Sequence, residues 1–136
     1  KIATYVRNQL PNLKVIGITG SQGKTTTKDL LNHILEGVGP TVSPENSFNN
    51  ELGAPLNLLR CTEETRFCIA ELGARHMGDI FRLASIVKPD IGVVLKVGNA
   101  HKTEMRASAI KRRICRALLG FCFGRKKSNI QGRKTP

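Results

Sequence analysis

The chain has 136 residues, 22 Lys+Arg against 10 Asp+Glu, a formal net charge of +12, and 40% hydrophobic and 24% charged residues. That length holds one domain around one modest core, and that balance excludes an intrinsically disordered chain. Apolar runs of only a few residues exclude a transmembrane helix; KIATYVRNQLP lacks the apolar stretch of a secretory signal, and one Tyr, five Phe and no Trp argue against an aromatic nucleic-acid platform.

Lys14–Thr19 (KVIGIT) is a short apolar run that stops at Gly20, which predicts a buried parallel strand. From Thr25 to about Val38, Leu30, Leu31, Ile34, Leu35 and Val38 fall on one stripe of an amphipathic helix, which Gly37, Gly39 and Pro40 end. Thr41–Ser43 suits a short strand, and Pro44–Asn50 is a polar loop with three Asn. Pro55 suits a helix start, followed by Leu56, Leu58 and Leu59. Arg66–Leu72 (RFCIAEL) predicts a second buried strand, Met77–Val87 a helix ended by Pro89, and Ile91–Val97 a third strand. Strands alternating with helices predict an α/β fold, a parallel sheet with flanking helices.

Charge divides the chain near Met105. Residues 1–105 carry 12 basic and 10 acidic side chains, whereas residues 106–136 carry 10 basic and none acidic. The front is therefore an ordinary, nearly neutral domain, and the excess positive charge belongs to the last segment. Cys61, Cys68, Cys115 and Cys122 lack zinc-site spacing and are expected to be free thiols in a reducing compartment. Cys61 and Cys68, in or beside the second strand, have no basic helix-start setting to activate a thiolate and are read as small buried hydrophobes.

The strongest chemical signal runs from Gly17 to Thr27, GITGSQGKTTT, after a predicted strand and into a predicted helix. A phosphate-binding loop needs that context. Small residues let backbone N–H groups turn onto phosphate oxygens, so Gly20, Ser21, Gln22, Gly23, Lys24, Thr25 and Thr26 are the expected ATP contacts. Lys24 would set its charge against the β- and γ-phosphates, and the Thr25 hydroxyl would ligate Mg2+. The general motif has Gly five positions before Gly23, where this chain has Ile18. The plainer alternative is a glycine-rich strand-to-helix turn with an incidental lysine.

Thr19–Thr27 resembles the ATP loop of the Mur ligase family. Ser47–Pro55 (SFNNELGAP), Glu71–Ile80 (ELGARHMGDI), Pro89–Val94 (PDIGVV) and Gly98–His101 (GNAH) resemble further blocks of that family, in its order and spacing, over about residues 1–104. The resemblance implies a P-loop type ATP-binding domain, incomplete here, with ATP and Mg2+ as cofactors. Glu71 ends a predicted strand, where open α/β sheets place ligands, and a carboxylate there can face the phosphate loop. The resemblance makes Glu71 the magnesium-binding glutamate; otherwise it is a surface acid. It likewise gives His101 a part in binding a second magnesium, although imidazole is an unusual ligand for that ion, and a turn histidine bonded to backbone is the other reading. Together they give Lys24, Glu71 and His101 as the catalytic set, and Thr25, Glu71 and His101 as the metal set. Asn49 and Asn50 carry amides that suit a peptide or nucleotide, and Asn is also common in tight turns; the resemblance places them against the muramoyl-peptide substrate. Arg75 and His76 either contact substrate or cap the helix at Gly78. His33 is read as structural.

The implied chemistry is ATP-driven amide formation in cytoplasmic peptidoglycan precursor synthesis. A carboxylate of a UDP-N-acetylmuramoyl tripeptide attacks the γ-phosphate, and the amine of D-alanyl-D-alanine then attacks the acyl phosphate and releases phosphate. Lys24 and a magnesium held by Thr25 and Glu71 would neutralise the transferring phosphoryl group. Several departures accompany the resemblance. The first strand begins about 13 residues into the chain, so the family's UDP-sugar domain is expected to be absent, as is its carboxyl-terminal domain. Lys96 stands where the family has Asn, an extra cation beside the metals. Lys111, Lys126 and Lys127 lack the flanking residues of the family's carbamylated lysine. The isolated chain is therefore expected not to ligate.

Residues 106–136 have two readings: a basic helix with Ile110, Ile114, Leu118 and Phe121 as its apolar stripe, suited to an anionic surface, or translation in a shifted frame after residue 105. The second is preferred, because it explains both the sudden end of the resemblance and the change in composition. A folate polyglutamate ligase of the same superfamily is the nearest rival function, and the Ser47–Pro55 block argues against it. A basic nucleic-acid-binding module with a decayed ATP loop is the rival from another class, with non-specific contacts through the tail.

Overall fold

The computed structural model describes residues 2–45, 53–76 and 78–96. Its elements alternate as expected of an α/β chain: α1 (Ile2–Gln9), β1 (Lys14–Thr19), α2 (Lys24–Glu36), β2 (Thr41–Val42), α3 (Gly53–Leu59), β3 (Phe67–Leu72), α4 (Asp79–Val87) and β4 (Ile91–Val94). The strands form one parallel sheet in the order β2-β3-β1-β4. Parallel strands covered on both faces need continuous apolar runs, and β1 and β3 supply them.

Strand alternation sorts the core into two clusters. Val15 of β1 and Cys68, Ala70 and Leu72 of β3 pack with Leu58 of α3, with Leu83, Ala84 and Val87 of α4, and with Ala3 of α1. Ile16, Ile18 and Ile69 point to the other face and meet Leu31 and Leu35 of α2. Thus α2 covers one face of the sheet, and α1, α3 and α4 share the other.

Several boundaries and faces differ from the sequence expectation. The expected single stripe on α2 divides: Leu31 and Leu35 pack on the sheet, whereas Leu30 (63% exposed), Ile34 (63%) and Val38 (55%) face outward. Only one narrow edge of a helix laid on a sheet touches it, so apolar residues next to that edge stay exposed. The second helix spans Gly53–Leu59, two residues ahead of Pro55. The expected third strand stops at Val94, although Leu95 N still donates to Thr19 O at 2.8 Å. The α4 helix begins at Asp79, after the left-handed Gly78; Met77 lies outside the described residues.

The α1 helix was not among the expected elements. Its Arg7 is 1% exposed, and its guanidinium donates to Asp90 Oδ2 at 2.8 Å and to Leu10 O at 3.1 Å. The same Asp90 oxygen accepts from Val15 N at 2.8 Å, so one carboxylate ties α1, β1 and the start of β4 at the amino edge of the sheet. Cys61 and Cys68 are buried free thiols. The Cys68 thiol donates toward Cys61, which lowers the pKa of Cys61, while that bond and burial raise that of Cys68.

Candidate nucleotide and metal site

The register aligns the carboxyl ends of three strands: Thr19 pairs with Leu72 on one side and with Val94 on the other. The helix after β1 lies on one face of the sheet and the helix after β3 on the other. Adjacent strands whose following helices diverge in this way open a crevice at their carboxyl ends, where doubly wound sheets take their ligands.

The loop Gly20–Gly23 fills one side of that crevice. Gly20 has φ +150°, and a Cβ there would lie 2.8 Å from Leu95 Cβ, so the loop presses backbone against the β4 extension. Ser21 N donates to Lys96 O at 2.9 Å and continues that contact. Gly23, left-handed at φ +82°, turns the chain into α2. Gly23 has no side chain with which to cap this helix start, and the first turn holds no acid. An uncapped amino terminus presents N–H groups and a positive dipole end to an anion. Lys24 curls back over the loop and donates from Nζ to Gly20 O at 2.8 Å. An ammonium has three donors, so this bond leaves capacity for phosphate oxygens. Ile18, which replaces the first Gly of the general motif, is a fully buried β1 residue; the working loop begins two residues later.

Glu71 lies on the neighbouring strand β3, in register with Ile18 of β1. It is 0% exposed, so the surface-acid reading is wrong: β3 runs through the core up to its last residue. Alternation puts it on the Ile69 side of the sheet, the face that α2 covers. Neither carboxylate oxygen has a hydrogen-bond partner among the described residues. A buried polar group without a partner costs about 1–3 kcal/mol, and more when it carries a charge. The hard oxygens of Glu71 suit Mg2+. No group of three or more His, Cys, Asp or Glu that could hold a metal exists among the described residues. A magnesium here would therefore rely on Glu71, the Thr25 hydroxyl, water and nucleotide phosphate, the ligand mixture that this ion favours.

The other expected site residues are distributed as follows. Arg75 and His76 are exposed just past the end of β3. Their backbone N–H groups both donate to Asp79 Oδ2, at 2.9 and 2.7 Å, which holds the Asp79 carboxyl below the usual range. Lys96 is exposed and meets the loop through its carbonyl. His33 is exposed on the last turn of α2. Asn49, Asn50 and His101 lie outside the described residues, as do Cys115, Cys122 and the whole segment 97–136. Two buried polar residues on β1 and α2 have side-chain bonds that the sequence did not assign. Thr19 is 2% exposed and donates to Leu72 O at 2.9 Å. Lys28 is 5% exposed and donates to Pro44 O at 2.9 Å, which fixes the exit of β2 against α2. Its signal was its place one helical turn after Lys24.

The Mur ligase middle domain family model matches residues 18–110, more than half of the chain. The chain belongs to the Mur ligase family. It is 54% identical over 106 residues to the UDP-N-acetylmuramoyl-tripeptide–D-alanyl-D-alanine ligase of Mycobacterium tuberculosis (strain ATCC 25618 / H37Rv), covering 76% of this chain and 21% of that protein. With the protein of the same name from Escherichia coli (strain K12) the identity is 38% over 101 residues, covering 74% of this chain and 22% of the relative. A crystal structure of MurF from Acinetobacter baumannii superposes with a TM-score of 0.77 at 40% identity, over 85% of this chain and 26% of that one. The chain thus spans about a fifth of the length of the curated relatives it matches. Within this Mur ligase domain the parallel sheet carries the glycine loop after β1 and Glu71 near the end of β3. No helix among the described residues is long and apolar enough to cross a membrane.

Proposed function

We propose that this chain is the nucleotide-binding part of an ATP-dependent amide ligase that joins D-alanyl-D-alanine to a UDP-N-acetylmuramoyl tripeptide in the cytoplasm. One observation carries the reading: the buried Glu71 carboxylate, without a hydrogen-bond partner among the described residues, lies on the sheet face that α2 covers, and the first turn of α2 bears Lys24 and no acid. An anion and a divalent cation bound together satisfy both features at once, and a magnesium–ATP complex is such a pair. In this reading Gly20–Thr26 hold the triphosphate, Lys24 balances its charge, and Thr25, Glu71 and His101 hold magnesium, which when bound neutralises phosphate charge. Asn49, Asn50, Arg75 and His76 meet the peptide-bearing substrate from the loops that follow β2 and β3. Residues 1–105 are then part of the family's central domain, and residues 106–136 a basic segment outside its pattern. The matched relatives from Mycobacterium tuberculosis and Escherichia coli, both UDP-N-acetylmuramoyl-tripeptide–D-alanyl-D-alanine ligases by name, support this substrate pair.

The experiment is a calorimetric titration of the chain with magnesium–ATP, beside Lys24→Ala. Binding that weakens at least about tenfold in Lys24→Ala supports the reading, because a charge-assisted contact to phosphate is worth roughly 1.5–3 kcal/mol. Equal affinities refute it. Ligation of D-alanyl-D-alanine is expected only when the remainder of the ligase is present.

A further inference from the structure

Thr19 sits where three strands end. Its carbonyl accepts from Leu95 N of the β4 extension at 2.8 Å, and its hydroxyl donates to Leu72 O of β3 at 2.9 Å. Beyond it the phosphate loop leaves β3 and follows β4: Ser21 N goes to Lys96 O, and the β1–β3 ladder ends at the Thr19–Leu72 pair. The hydroxyl supplies the donor that the departing backbone no longer offers to the end of β3. Leu72 directly follows Glu71, whose carboxylate has no hydrogen-bond partner among the described residues to hold it. The position of Glu71 relative to the phosphate loop therefore depends on its backbone, which the β1–β3 ladder holds and the Thr19 hydroxyl ties at the ladder's last pair. Val has the same branched shape without the donor, so Thr19→Val isolates the hydroxyl.

We propose that Thr19 is a positioning residue, whose hydroxyl holds the Leu72 carbonyl and so sets Glu71 at the separation from the phosphate loop that admits magnesium with the nucleotide. The proposal rests on the magnesium–ATP reading above and adds a residue that touches neither ligand. It separates two quantities. Binding of nucleotide without metal uses the loop and the start of α2, whose contacts to the β4 extension do not involve the hydroxyl. The gain in affinity on adding magnesium uses Glu71 as well.

The test compares the whole chain with Thr19→Val and Thr19→Ser, titrating ATP with excess Mg2+ and again with a chelator. Thr19→Val is expected to reduce the magnesium-dependent gain about tenfold, the loss that follows when a buried carbonyl is left unsatisfied, while metal-free affinity stays within about twofold. Thr19→Ser keeps the donor and is expected to match the parent in both. An unchanged gain in Thr19→Val, or equal weakening with and without metal, overturns the proposal. Should Thr19→Val fail to fold, as judged by circular dichroism, Thr19→Ala removes the donor with less crowding: loss of the magnesium-dependent gain with metal-free affinity kept supports the proposal, and an unchanged gain overturns it. A parent chain that binds ATP equally with and without magnesium refutes the metal role of Glu71 before any variant is made, and this proposal with it.

Discussion

Replacing Glu71 with leucine should strengthen the fold and weaken the site. Glu71 is fully buried on the face that Ile18, Ile69, Leu31 and Leu35 share, it pairs in register with Ile18, and neither carboxylate oxygen has a partner among the described residues. An unsatisfied buried polar group costs about 1–3 kcal/mol, and leucine replaces it with apolar surface of similar volume. We expect Glu71→Leu to stabilise the nucleotide-free chain by about 2 kcal/mol, a rise of about 10 °C in Tm for a domain of this size. Glu71→Gln keeps an unsatisfied polar group and should move stability by less than about 1 kcal/mol. Both variants should lose the magnesium-dependent part of ATP affinity. Scanning calorimetry without nucleotide, together with titrations with and without Mg2+, reads both effects. A Glu71→Leu midpoint at or below that of the parent would refute the reasoning, because the carboxylate would then be satisfied in the free protein.

Two further outcomes follow from the same geometry. Asp90→Ala strands the buried Arg7 guanidinium and removes the acceptor of Val15 N, so urea unfolding should show a loss of about 3 kcal/mol or more, while ATP affinity of the folded variant holds because the pair lies at the opposite edge of the sheet. Asp79 is held ionised by the His76 and Arg75 amides, so its folded pKa lies below its unfolded value. Its contribution is therefore complete above the unfolded carboxylate pKa of about 3.9 and is lost as pH falls through the lower folded value; Asp79→Asn should flatten the acid limb of the stability profile in that window and leave the neutral range parallel to the parent.

The comparison between sequence and structure turns on particular residues. Runs such as KVIGIT and FCIAEL declare buried parallel strands because both faces must be apolar, and observed β1 coincides with its expected range. The strand-to-helix turn was equally legible, since Gly20 and Gly23 stand between an apolar run and an amphipathic one, and the structure has that turn between β1 and α2. Helix α1 was not legible because its anchor, Arg7, reads as a solvated charge until Asp90, 83 residues away, comes beside it. The division of the α2 stripe escaped for a related reason: periodicity locates an apolar face but not how much of it the sheet covers.

Local chemistry was thus written in contiguous residues, which need no fold to be recognised: the strand, the glycine turn, the lysine and the helix behind it. Only the folded chain decided which distant groups oppose them. Parallel pairing in register brings Leu72 to Thr19, alternation turns Glu71 toward α2, and exclusion of water leaves its carboxylate without a partner among the described residues. Burial and long-range pairing depend on how strands 53 residues apart are laid together, and no short-range pattern contains that information.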